Sequence, residues 1–149
     1  METVHRLLSD DGVFLLHTIG GNRSVQTIDP WINRYIFPNA VLPSAPQITT
    51  ACEGLFLLDD WHSFGPDYDT TLMAWHDNFE KNRDKIPQAA DERFYRMWRY
   101  YLPSCAASFR IRNNHVWQLL LSKKGLPQAF HTGRCLRCCG TATEQPTDT

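Results

Sequence analysis

Three short apolar runs, Val13–Leu16, Leu55–Leu58 and Val116–Leu121, are separated by stretches with a helical period, and this alternation points to an α/β architecture. Continuous apolar runs of this length suit strands covered on both faces. Glu2–Leu8 places Val4, Leu7 and Leu8 on one side of a helix, and Ser9-Asp10-Asp11-Gly12 reads as a turn into the first strand. The first run leads into the polar loop His17–Gly21, the second into the polar, aromatic loop Asp59–Gly65. In open α/β sheets ligands bind beyond the carboxyl ends of strands, so His17 and Ile19 stand at a favoured address.

The segments between the runs differ in character. Asp29–Pro46 mixes four prolines with Trp31, Tyr35, Ile36 and Phe37. Prolines stop long helices while the aromatics require burial, which predicts short helical turns capping an apolar surface. Ser44 caps a helix over Ala45–Cys52 that carries Pro46 in its first turn. A helix is predicted over Asp67–Lys85, with Leu72, Trp75 and Phe79 inward and Pro87 ending it. A second is predicted from Asp91 to Phe109, with Phe94, Met97, Trp98, Tyr101 and Leu102 inward, Arg93, Arg96 and Arg99 on a solvated face, and a kink at Pro103. The packed part ends near Gly125, since residues 126–149 lack a hydrophobic period and read as a disordered tail.

Composition narrows the function. A net charge of -1 from 15 basic and 16 acidic residues, intermixed along the chain, gives no global field for nucleic acid or anionic lipid. Runs such as Val13–Leu16 fall far short of the ~20 residues that span a bilayer, and the acidic N-terminus is unlike a signal peptide, so the chain reads as cytosolic. Five cysteines, with Cys52 and Cys105 isolated in sequence, suggest reduced thiols. Cys135, Cys138 and Cys139 could supply thiolates to zinc with His131 as fourth ligand; the flanking Gly, Thr and Pro favour the tail reading, and no metal is expected. Adjacent Asp59 and Asp60, at a strand end, point to opposite sides and share no ion. Gly20-Gly21 lacks the G-x-G spacing of a cofactor loop. His62 and His76 are taken as structural.

Longer strings are more specific. Leu15-Leu16-His17-Thr18-Ile19-Gly20, the run Asp29-Pro30-Trp31-Ile32-Asn33-Arg34-Tyr35-Ile36-Phe37-Pro38-Asn39, Leu42-Pro43-Ser44, the run from Asp60-Trp61-His62-Ser63-Phe64-Gly65 to Leu72, and Trp98-Arg99-Tyr100-Tyr101-Leu102 follow in order. Together, over Met1 to Lys124, they resemble the C-terminal portion of cyclopropane-fatty-acyl-phospholipid synthases and the related mycolic acid cyclopropane synthases. The resemblance implies a class I methyltransferase, Rossmann-like: a seven-stranded, mostly parallel sheet with inserted lipid-pocket helices, of which this chain holds the last three strands. Residues 1–125 would then be a partial catalytic domain. The family's S-adenosylmethionine loop would lie upstream of Met1, so the chain reads as a truncated product or a separately encoded fragment.

The family transfers a methyl group from S-adenosylmethionine to a cis double bond of a phospholipid acyl chain, and bound bicarbonate takes the proton as the ring closes. By the match, His17, the backbone of Ile19, and Tyr68 hold that bicarbonate. The family's other two contacts, a cysteine and a glutamate, would lie upstream. The resemblance implies action at the inner membrane surface from the cytoplasmic side, no nucleic-acid partner, and a homodimer of the intact enzyme. The isolated chain is expected to be inactive; the alternatives are a non-catalytic lipid-binding or interaction fragment that pairs with a separate N-terminal half, or a decayed gene product. Two positions depart from the family pattern, Ala40 and Ala107 standing where glycine is common. Alanine is harmless there unless φ is positive.

Overall fold

The computed structural model describes residues 1–126, so His131 and the cluster of Cys135, Cys138 and Cys139 lie outside the described residues. The elements run α1 (Glu2–Leu7), β1 (Val13–Gly21), α2 (Pro30–Tyr35), α3 (Ala45–Cys52), β2 (Leu57–Ser63), α4 (Gly65–Lys81), two 3-10 turns (Arg83–Lys85 and Pro87–Ala90), α5 (Glu92–Arg110) and β3 (Asn114–Ser122). The strands form one sheet in the order β1-β3-β2. Both pairings are antiparallel, with β3 reversed between two strands that run the same way.

Local chemistry explains most element boundaries. Asp29 caps α2, its carboxylate accepting from the N–H groups of Trp31 and Ile32 at 2.9 and 3.1 Å, while Pro30 occupies the first turn. Ser44 and Gln47 form a reciprocal capping box on α3. Asp91 caps α5 through Arg93 N–H at 2.9 Å. Lys81 ends α4, earlier than the sequence period predicts, and the chain continues in the 3-10 turns toward α5. Helix α5 is assigned continuously through Pro103. Ala107 is helical and Ala40 has no positive φ, so neither residue is strained where relatives carry glycine.

The two faces of the sheet are covered differently. On one face α1 and α3 bury Ile48, Cys52, Phe56, Trp117, Leu119 and Leu121, joined by Val4, Leu8, Phe14, Leu16 and Trp61. On the other, α4 and α5 pack on each other and on β3, enclosing Leu72, Leu102, Ala106, Phe109 and Val116. Each fully buried Leu, Ile, Val or Phe side chain among them stabilises the fold by about 1.5–3 kcal/mol. Gly20 belongs to the first cluster's construction: a Cβ there would overlap the Trp117 ring.

Four expectations require correction. First, β1 is nine residues long, so His17 and Ile19 lie within a strand rather than in a loop after it. Second, β2 begins at Leu57, so Asp59 and Asp60 are inside the strand, with a bulge between Leu58 and Asp60. The Asp59 carboxylate accepts from Ser122 Oγ at 2.5 Å and Leu126 N at 3.4 Å, clasping the exit of β3. Third, β1 alternates in burial instead of being covered on both faces, with Val13 and Leu15 exposed; the packing of α4 and α5 is centred farther along, around Val116. Fourth, Leu7 is 78% exposed and Trp75 is 47% exposed. Met1, Val4 and Leu8 make the partly buried stripe along α1, and Leu7 lies roughly 100° around the helix from it.

Candidate functional site

Face sharing in the sheet brings together residues distant in sequence. The register sets Gln118 opposite His17 on one side and opposite His62 on the other, so the three form a row across the sheet. By the strand period of two, this row lies on the α4–α5 face, between buried Val116 and the exposed pair Val13 and Leu15. Gln118 Nε2 is 3.1 Å from His17 Nδ1. Phe64 borders both histidines, its ring centroid 5.9 Å from that of His17 and 5.0 Å from that of His62. His62, expected to be only structural, therefore belongs to this row.

Ile19 lies one residue pair further along the same face, opposite Val116, and packs against the α4–α5 cluster. Gly21 donates its N–H to Pro43 O at 3.0 Å and bridges Ser44, on the edge of β1 away from β3. Successive backbone groups of a strand alternate between its edges, so the N–H of Ile19, two residues earlier, points to that same outer edge.

Tyr68 stands in the first turns of α4, in the cluster that also takes in Ile19 and Phe64. Its ring meets Phe109 at 5.1 Å and Trp75 at 5.7 Å. Burial pushes its phenol pKa up, with Cys105 adding to the effect. Burial likewise raises Tyr101, which interacts with Cys105, and burial raises the Cys105 thiol. At neutral pH these three groups are protonated, so Tyr68 can donate a hydrogen bond.

The proline and aromatic segment touches α5, with Trp31 5.1 Å from Tyr100 and Phe37 6.5 Å from Tyr101, but Tyr35 and Phe37 stay exposed, so it does not bury its aromatics as the sequence predicts. Beyond it, Trp75, Phe79, Ile86, Trp98, Leu102 and Asn78 line a slot of about 340 Å³. His76 lies elsewhere on α4, 4.0 Å from Glu80, whose other oxygen accepts from the Tyr95 hydroxyl at 2.8 Å. Arg99 pairs with Glu80 at 3.2 Å, and the Arg93 guanidinium sits 5.7 Å from the Tyr35 ring centroid, so these two exposed arginines have partners within the chain. Among the described residues, no group of three or more His, Cys, Asp or Glu side chains could hold a metal ion. No described helix is long and apolar enough to cross a membrane.

The resemblance implies that His17, Ile19 and Tyr68 act together; in the fold His17 and Ile19 share one face of β1, Phe64 borders His17, and Ile19, Phe64 and Tyr68 pack against one cluster. Sequence reading had passed over Gln118, whose only signal was a polar residue interrupting the apolar run Val116–Leu121.

Comparison with known proteins bears on this arrangement. The family described as mycolic acid cyclopropane synthetase matches residues 1–119. Cyclopropane-fatty-acyl-phospholipid synthase of Escherichia coli K12 is 50% identical over 120 residues, covering 80% of this chain and 31% of that protein. The structure of cyclopropane synthase MmaA2 from Mycobacterium tuberculosis aligns with a TM-score of 0.70 at 28% identity, covering 80% of this chain and 47% of that one. Mycolic acid cyclopropane synthase CmaA1, solved in complex with SAH and CTAB, aligns with a TM-score of 0.68 at 32% identity over the same shares. The chain thus spans about a third of the Escherichia coli protein and about half of each solved chain. With most of its described length matched in sequence and in fold, the chain belongs to the mycolic acid cyclopropane synthetase family of S-adenosylmethionine-dependent methyltransferases.

Proposed function

We propose that this chain carries the bicarbonate-holding, acyl-facing part of a cyclopropane-fatty-acyl-phospholipid synthase. The observation that carries the reading is the setting of His17, exposed on a partly bare sheet face, held by Gln118 and walled by Phe64. In this reading S-adenosylmethionine supplies the methyl group and bicarbonate the base that takes a proton as the ring closes. His17 donates a ring N–H to the anion, Ile19 donates its backbone N–H, and Tyr68 donates its phenolic proton. Neutral Tyr68 is suited to this role because a phenolate would repel the anion. Its ring meets Trp75 and Phe109 edge to face, and an aromatic face can attract a carbocation.

The described residues do not fit S-adenosylmethionine. Gly20, which follows Ile19, has its Cβ position taken by the Trp117 ring and offers no backbone cradle. The methyl donor therefore enters the proposal with no described residue of this chain assigned to it. The apolar slot between α4 and α5 supports a lipid chain as substrate, since each methylene buried there gains about 0.8 kcal/mol. Action at the cytoplasmic face of the inner membrane, without a spanning helix, belongs to the same reading.

A second reading is favoured by one observation: Val13, Leu15 and Leu57 share an exposed strip beside the row. Such a strip suits a separately encoded N-terminal half, the chain then acting as a non-catalytic lipid-binding or interaction fragment until paired. Purified chain incubated with phospholipid vesicles and radiolabelled S-adenosylmethionine is expected to leave the lipid unlabelled. Addition of an N-terminal half built on the Escherichia coli relative is expected to restore labelling and to be blocked by His17→Ala. Labelling by the chain alone would overturn the division of labour, and labelling by the pair carrying His17→Ala would overturn the site.

A further inference from the structure

We propose that Gln118 is a positioning residue, which fixes the imidazole of His17 in the tautomer that an anion donor requires. This rests on the reading of His17 as such a donor. An amide nitrogen carries two hydrogens and no available lone pair, so at 3.1 Å from Nδ1 it donates and the ring nitrogen accepts. The proton of the neutral ring is then on Nε2, because the partner of one imidazole nitrogen sets the state of the other. Without that partner, Nδ1 and Nε2 compete for the proton, and part of the population presents a lone pair to the anion.

The fold places Gln118 well for this task. It sits on β3, the strand with a neighbour on each side, while His17 is on the outer strand β1. Gln118 is half-buried on the α4–α5 face, between buried Val116 and half-buried Leu120, so its polar side chain interrupts an apolar row along β3. On its far side the same row continues to His62, and Phe64 lies against both rings, which limits the rotamers open to each histidine. A polar side chain in the middle of the central strand, bonded to the one ring nitrogen that must not carry the proton, is accounted for by this role.

The test is long-range ¹H–¹⁵N NMR of the full 149-residue chain at neutral pH, with His17 assigned by the signal lost in His17→Gln. Wild type is expected to show an unprotonated Nδ1 and a protonated Nε2. Gln118→Leu should shift His17 toward a mixture of tautomers, and Gln118→Glu, an acceptor opposite Nδ1, should move the proton to Nδ1. Titration with ¹³C-labelled bicarbonate should show binding weakened about threefold or more in Gln118→Leu. Gln118→Glu keeps the polar shape of the site, so it decides the matter if Gln118→Leu fails to fold. An unchanged His17 tautomer in Gln118→Glu would overturn the proposal, as would a changed tautomer with unchanged bicarbonate affinity. If wild type itself ignores bicarbonate while the tautomer follows residue 118, the anion-site reading fails and Gln118 retains only its hold on the ring, which overturns the positioning role for catalysis.

Discussion

The two faces of this small sheet are built from the same three strands and are covered differently. The α1–α3 face is apolar from Phe14 and Leu121 to Trp117, where Gly20 must lack a Cβ, and it opens on the β2 side, where Leu58 is exposed and Ile48, Cys52, Phe56, Leu119 and Leu121 line a recess of about 370 Å³. The α4–α5 face is closed only around Val116, and the next residues on it pass from the polar row His17, Gln118 and His62 to exposed Val13 and Leu15. Close packing around Gly20 and Trp117 provides stability and leaves no room for a ligand at that point. A face covered at one end provides a rigid floor beside an accessible polar row, which is where chemistry can be done.

The largest test of this contrast is truncation within each closed region. Leu121→Ala, at 0% exposure, and Phe109→Ala, at 1%, are each expected to cost about 3–5 kcal/mol in urea denaturation, because both leave cavities. Leu15→Ala, at 55% exposure, should cost less than about 1 kcal/mol, and an equal loss at Leu15 and Leu121 would abolish the distinction between faces. Gly20→Ala should destabilise by about 1–3 kcal/mol through overpacking against Trp117. The thermal melt of Gly20→Ala with Trp117→Leu should recover part of that loss relative to the two single changes added together.

A smaller effect distinguishes electrostatic from apolar closure of the second face. Arg110 donates to both carboxylate oxygens of Asp69, at 2.8 and 2.9 Å, tying α5 to α4. Its guanidinium lowers the Asp69 pKa below the usual carboxylate value of 3.8. A folded-state pKa below the unfolded one means that the pair stabilises fully above that value and is lost as pH falls through the lowered one. Asp69→Asn should therefore melt earlier than wild type between about pH 5 and about pH 8, and the gap should close in strong acid. A gap independent of pH would show that Asp69 acts by packing alone.

Legibility in the sequence followed the range of the interaction. The caps at Asp29, Ser44 and Asp91 depend on residues two or three positions away, and the helices they start are legible from those residues. The strands were legible as apolar runs but not in extent: β1 continues through His17 and Ile19 because β3 pairs with it as far as Gly21, a partner about 100 residues away in sequence. The bulge at Asp59 was illegible for the same reason, since its carboxylate serves Ser122 and Leu126. Of the candidate site, His17 and Ile19 stand out by their place after an apolar run, Tyr68 only by resemblance, and Gln118 only as a polar break in the run Val116–Leu121.

The sequence by itself determined family membership, the order of helices and strands, and the chemical types available to the site, because these are carried by long strings and short-range patterns. Tertiary structure alone decided that Gln118 stands between His17 and His62, that Gly20 yields its space to Trp117, and that one sheet face stays partly open. Those outcomes depend on strand register, and a shift of one residue would turn every side chain of a strand to the opposite face.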